Sequence, residues 1–107
     1  PAAFHATVGN PAYNASKTGA MGLTRTLGKA WAPDGIRVNG IAPGLIATKM
    51  TKVTTDNPKR RDATIRSIPL GRIGDPDDMA GLSLYLASPL AGYIVGQTII
   101  ADGGLLL

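Results

Sequence analysis

The chain has 107 residues, of which 44% are hydrophobic and 17% charged; this suits one small domain with an apolar core and excludes disordered and fibrous classes. With no cysteine and a single histidine, His5, disulfides and thiolate metal sites are excluded and no metal is expected. The net charge of +4 is dispersed, Lys59-Arg60-Arg61 forming one short cluster without interleaved aromatics, which reads as a solvated helix face and not a nucleic-acid surface; no apolar run approaches the ~20 residues of a membrane span, nor is there a signal-peptide pattern, so a soluble, cytoplasmic protein is expected.

From Pro11 to Trp31 few residues break a helix, and Ala12, Ala15, Ala20, Leu23, Leu27, Ala30 and Trp31 recur at helical spacing. Asn10 and Pro11 supply an N-cap and a first-turn proline, and Pro33-Asp34-Gly35 ends the helix. The β-branched stretch Ile36 to Ala42, bounded by Gly35 and Pro43-Gly44, predicts a strand. Leu45 to Asn57 is polar and threonine-rich, a loop with at most a short helix. An amphipathic, basic helix is predicted from about Pro58 to Ser67. Asp75-Pro76-Asp77-Asp78 starts another, with a capping aspartate, proline at the first position and a carboxylate three residues after the cap; it runs to about Ser88-Pro89. Thr98 to Ala101 is an apolar run ending in Asp102-Gly103-Gly104 and predicts a buried strand. Strands separated by helices imply an α/β fold with a parallel sheet. Two such strands are too few for a stable sheet, so the missing neighbours are expected from sequence beyond this chain.

Tyr13 and Lys17 stand four residues apart on the first predicted helix, on one face and one turn apart. Such a pair is often only an amphipathic face. It also has a chemical use: an ammonium ion beside a phenol favours phenolate and brings a group that normally titrates near 10 toward working pH. Ser16 is a poor nucleophile candidate, because no histidine follows it to serve as its base. His5 reads as a loop or pocket-wall residue, and Asn39 as a structural residue bonding to neighbouring backbone.

Tyr13-Asn14-Ala15-Ser16-Lys17 resembles the Tyr-x-x-x-Lys motif of short-chain dehydrogenases/reductases. Further segments agree in the family's order: Ile36-Arg37-Val38-Asn39 with Ala42-Pro43-Gly44 is similar to its strand and Pro-Gly turn, and Thr48 stands where the family places a threonine. Gly71 to Asp78 resembles the loop and helix start after the substrate lid, and Gly96 to Gly104 the last strand.

The resemblance implies an α/β fold, the C-terminal part of a Rossmann-like doubly wound parallel sheet, with residues 1–107 forming part of one NAD(P)-binding domain. It implies an NAD(P)-dependent oxidoreductase interconverting a carbonyl and an alcohol by hydride transfer, similar to 3-oxoacyl carrier-protein reductases or carbonyl reductases. Tyr13 would exchange the proton, and Lys17 would lower the Tyr13 pKa and hold the nicotinamide ribose. Pro43 and Gly44 would let the backbone approach the nicotinamide, with Ile46 and Thr48 bonding its carboxamide; a plain turn at Pro43-Gly44 is the alternative. Leu45 to Ser67 would bind the small-molecule substrate.

By the same resemblance, the family's catalytic serine would fall just ahead of Pro1, and its catalytic asparagine, glycine-rich phosphate loop and NAD-or-NADP selector are not in these residues. The isolated chain is therefore expected to be inactive. A homo-oligomer, dimer or tetramer, is expected, since the Tyr-Lys helix and the C-terminal helix and strand form subunit interfaces in the family and Leu105-Leu106-Leu107 is apolar. The competing expectation is a non-catalytic fragment acting only in subunit assembly.

Overall fold

A parallel pair of short strands organises the chain in the computed structural model, which describes residues 11–44, 46–47 and 56–107, with Tyr13 and Asn14 described as backbone. Strand β1 (Gly40–Pro43) pairs with β2 (Thr98–Ala101), Gly40 opposite Thr98 and Pro43 opposite Ala101. Parallel neighbours cannot be joined by a tight turn and need a long crossover. The stretch between them contains two helices, α2 (Pro58–Ser67) and α3 (Pro76–Ala87), while α1 (Pro11–Trp31) precedes β1. The order helix, strand, helix, helix, strand is the predicted one.

Local chemistry sets the helix ends. Helix α1 gives way to a 3-10 turn over Ala32–Asp34, and Gly35 follows at φ 78°, donating its N–H to the Ala32 carbonyl at 2.9 Å. A side chain there would be strained, so glycine is the stop signal. At α2, the Asn57 side chain accepts from the Lys59 and Arg60 amides and Pro58 takes the first position. Residues Lys59, Arg60 and Arg61 are exposed along it. Helix α3 has the predicted capping box: Asp75 accepts from the Asp77 amide at 2.9 Å, and Asp78 accepts from the Asp75 amide at 2.7 Å. The predicted cap of α1, Asn10, lies outside the described residues.

The first strand differs from its prediction, starting at Gly40 instead of Ile36 and ending at Pro43. Its partner β2 begins only at Thr98, so residues 36–39 face a turn and not a ladder. The Gly96 amide donates to the Val38 carbonyl at 2.8 Å from a left-handed conformation, φ 69°. Asn39 donates to the Ile94 carbonyl at 2.9 Å and accepts from the Gln97 amide at 3.0 Å. It bonds to backbone as expected, but to that of a segment distant in sequence. Arg37 closes the C-terminal end of α3: its guanidinium donates to the carbonyls of Leu86 (2.9 Å), Ala91 (2.8 Å) and Ser88 (3.1 Å). The last turn of α3 has no basic residue of its own, so a cation from another segment satisfies its orphan carbonyls.

Among the described residues the buried apolar side chains are Ile68 and Ala91, whereas Leu23, Leu84 and Leu90 are more than half exposed. Strand β2, predicted buried, is half-buried, with Ile100 exposed. A sheet of two strands leaves much of both faces open. No helix among the described residues is long and apolar enough to cross a membrane.

Candidate functional site

The direction in which α1 lies on β1 decides which residues share an end of the sheet. A Cβ built on Gly40 would lie 3.6 Å from Thr24 Oγ1, and one on Gly28 would lie 3.3 Å from the Val38 carbonyl oxygen. The helix therefore runs opposite to the strand. Going back from Thr24 to Lys17 climbs seven residues of helix, about 10 Å, and going on from Gly40 to Gly44 climbs four of extended chain, about 13 Å. By these rises Lys17 falls within a few ångström of the height of Gly44, and Tyr13 one helical turn beyond it, toward the carboxyl end of the parallel strands. That is the end where open α/β sheets bind ligands. Lys17 is exposed there.

The chain leaving β1 is pinned at two points. The Gly44 amide donates to the Ala101 carbonyl at 3.1 Å, and the Ala47 amide to the Gly74 carbonyl at 2.8 Å. Ile46 and Gly74 form an isolated parallel bridge. A Cβ on Gly44 would fall 2.7 Å from Asp102 Cβ and 2.8 Å from its Cα. Packing against Asp102, the residue that follows β2, thus requires glycine at this position, a reason independent of any ligand. Asp102 in turn accepts from the Gly104 and Leu106 amides at 2.9 and 3.0 Å, tying the chain's end to the end of β2. Thr48 and His5, named from the sequence, lie outside the described residues, as does most of the predicted loop from Leu45 to Asn57.

Ile46 lines a cavity of about 270 Å³ together with Ile68, Leu70, Arg72, Asp78 and Met79. Arg72 grips Asp78 through both terminal nitrogens, at 2.8 and 3.0 Å. The Arg72 guanidinium, with the Asp75 amide, holds the Asp78 carboxyl down at about 2, and Asp78 raises Arg72 above its ordinary value. Sequence reasoning found Asp78 as a capping residue but missed its second partner, because a contact spanning six residues across a loop has no periodic signature. It also missed Arg37 and Asp102, whose partners are backbone atoms in other segments.

Residues 2–106 match the family model described as enoyl-(acyl carrier protein) reductase. A 3-oxoacyl-(acyl-carrier-protein) reductase of Chlamydia pneumoniae is 46% identical over 99 residues, covering 92% of this chain and 39% of that protein. A crystal structure of an Agrobacterium tumefaciens protein, a candidate 2-deoxy-D-gluconate 3-dehydrogenase with bound NADP, superimposes with a TM-score of 0.91 at 40% identity, covering 98% of this chain and 43% of the other. A 4-hydroxyisoleucine dehydrogenase complexed with NADH gives a TM-score of 0.91 at 32% identity, covering 97% and 43% of the two chains. The chain spans about two fifths of the length of the curated relatives it matches.

Proposed function

The chain belongs to the short-chain dehydrogenase/reductase family, with the fold of the C-terminal part of a Rossmann-like doubly wound sheet, and from that membership we propose that it is the nicotinamide- and substrate-facing part of an NAD(P)-dependent oxidoreductase that interconverts a carbonyl and an alcohol. The observation that supports the proposal is the antiparallel lie of α1 on β1, from which the rises of helix and strand carry Tyr13 and Lys17 toward the end of the sheet where Pro43 and Gly44 stand. In this reading residues 1–107 complete a domain whose dinucleotide phosphate loop comes from preceding sequence. The apolar side chains left open here, Leu23, Leu84 and Ile100 among them, are covered by those strands and helices and by further copies of the subunit in a homo-oligomer. A cytoplasmic location belongs to the same proposal.

The donor set suits the nicotinamide end of NAD or NADP. Lys17 is an exposed cationic residue toward the same end of the sheet as the Pro-Gly turn, and the pinned segment after Gly44 brings backbone groups to the strand end. When bound, the dinucleotide supplies or accepts the hydride at the carbonyl carbon. Tyr13 gives its phenolic proton to the substrate oxygen in reduction and takes it back in oxidation, and Lys17 stabilises the phenolate left behind. Ile46 and Thr48 orient the carboxamide. Substrate enters over the segment from Leu45 to Ser67, and 3-oxoacyl thioesters and small hydroxy-sugar acids are the classes to try first, given the names of the similar proteins. An assembly-only role is not favoured, since those proteins are named as dehydrogenases and reductases.

The test is a fluorescence titration of the full-length protein with NADH and NADPH, followed by turnover of a 3-oxoacyl thioester. Tyr13→Phe should abolish turnover and keep cofactor binding; Lys17→Ala should weaken binding and turnover together. Undiminished turnover in Tyr13→Phe would overturn the proposal.

A further inference from the structure

Asp78 gathers three donors: both terminal nitrogens of Arg72, at 2.8 and 3.0 Å, and the Asp75 amide at 2.7 Å. The loop from Arg72 to Asp78 is closed on itself by these contacts, and Gly74 sits inside the closure. Gly74 is also the acceptor for the Ala47 amide and the bridge partner of Ile46. A fork-on-fork pair fixes orientation as well as distance, so the direction of the Gly74 carbonyl follows from the Arg72–Asp78 geometry. The other end of the segment, Gly44, is tied to Ala101 of β2. One pin is thus part of the sheet, and the other lies in the loop that an ion pair closes.

We propose that Arg72 and Asp78 are positioning residues for the segment that holds the nicotinamide, acting through the Gly74 carbonyl on the backbone of Ile46 and Ala47. The inference rests on the cofactor reading above. Both side chains reach solvent, 53% and 36% exposed, and an ion pair at such a site contributes little to overall stability. Its removal should therefore loosen the segment without unfolding the molecule. Arg72→Ala leaves the capping box of α3 intact, which separates the clasp from the cap that Asp78 also serves.

The experiment uses the full-length protein and its Arg72→Ala, Arg72→Lys and Asp78→Asn variants. Hydrogen exchange of the Ala47 amide is followed without cofactor, beside thermal unfolding and the dissociation constants of NADH and NADPH. In Arg72→Ala we expect Ala47 exchange faster by roughly ten-fold, as for a local opening, a several-fold weaker cofactor affinity and a nearly unchanged Tm, with Arg72→Lys intermediate. Unchanged Ala47 exchange, or faster exchange with unchanged affinity, would overturn the proposal. So would a loss of affinity matched by a global fall in Tm that Arg72→Lys fails to relieve, which marks a merely structural role. An unsubstituted protein that binds neither dinucleotide would remove the cofactor reading and this inference with it, and that failure is visible before any variant is compared.

Discussion

At the scale of single residues, the contacts with most consequence join side chains to distant backbone. Arg37 makes three charge-assisted bonds, to the Leu86 carbonyl in the last turn of α3 and to those of Ser88 and Ala91 just beyond it. Arg37→Ala should destabilise the protein by about 1–3 kcal/mol, and Arg37→Lys should recover only part, since an ammonium cannot span the three acceptors as a planar fork does; urea unfolding measures both. Gly28 sets two effects against each other. Alanine in a helix interior is favoured by about 1 kcal/mol, but its Cβ would sit 2.7 Å from Gly96 Cα, a backbone atom that cannot swing aside. Overpacking of that kind costs about 1–3 kcal/mol, so Gly28→Ala should lower Tm. Asp78 gives a pH signature. Its carboxyl is lowered from an ordinary 3.8 to about 2, so its contribution is complete above 3.8 and is lost as pH falls through 2. Its carboxyl resonance should titrate near the lower value, moving toward the ordinary range in Arg72→Ala and in high salt.

At the scale of elements, the helices follow from their own sequence and the first strand does not. The aspartate, proline and carboxylate spaced over Asp75 to Asp78 specify the start of α3 by local hydrogen bonds. Asp75→Ala should cost about 1 kcal/mol and fray the first turn of α3, seen as faster exchange of the Asp77 amide. The β-branched run from Ile36 onward predicted a strand too early, because strand propensity reports a preference for extended backbone and not the position of a partner. With β2 starting at Thr98, Ile36 to Asn39 are held by Gly96, by the Asn39 amide and by the Arg37 guanidinium. Asn39→Ala should loosen the junction of β1 with the turn at residues 94–97 and leave the helices intact, a difference that residue-resolved hydrogen exchange would display.

At the scale of the whole molecule, a two-stranded sheet with Ile68 and Ala91 as its buried apolar side chains among the described residues is a small core for this length of chain. The 107-residue polypeptide alone should unfold with low cooperativity and bind neither NADH nor NADPH, whereas the same residues joined to the preceding half of the domain should do both. Calorimetry and fluorescence titration of the two forms make the comparison.

What the sequence determined by itself is what near neighbours decide. The extents of α1, α2, α3 and β2, the glycine stop at Gly35, the capping box and the four-residue spacing of Tyr13 and Lys17 on one helix all rest on contacts within a turn or on spacing along one element. The ordered motifs from Tyr13 to Gly104 were likewise enough to name the family. The tertiary structure decided everything that depends on which segments lie side by side. It set the start of β1, the antiparallel lie of α1 on β1, the packing reason for glycine at 44, the Arg37 closure of α3 and the Arg72–Asp78 clasp behind Ile46. Hydrogen bonds between residues 37 and 91, or 47 and 74, leave no periodic trace in a sequence, because the loop that joins them can have any composition that lets the ends meet.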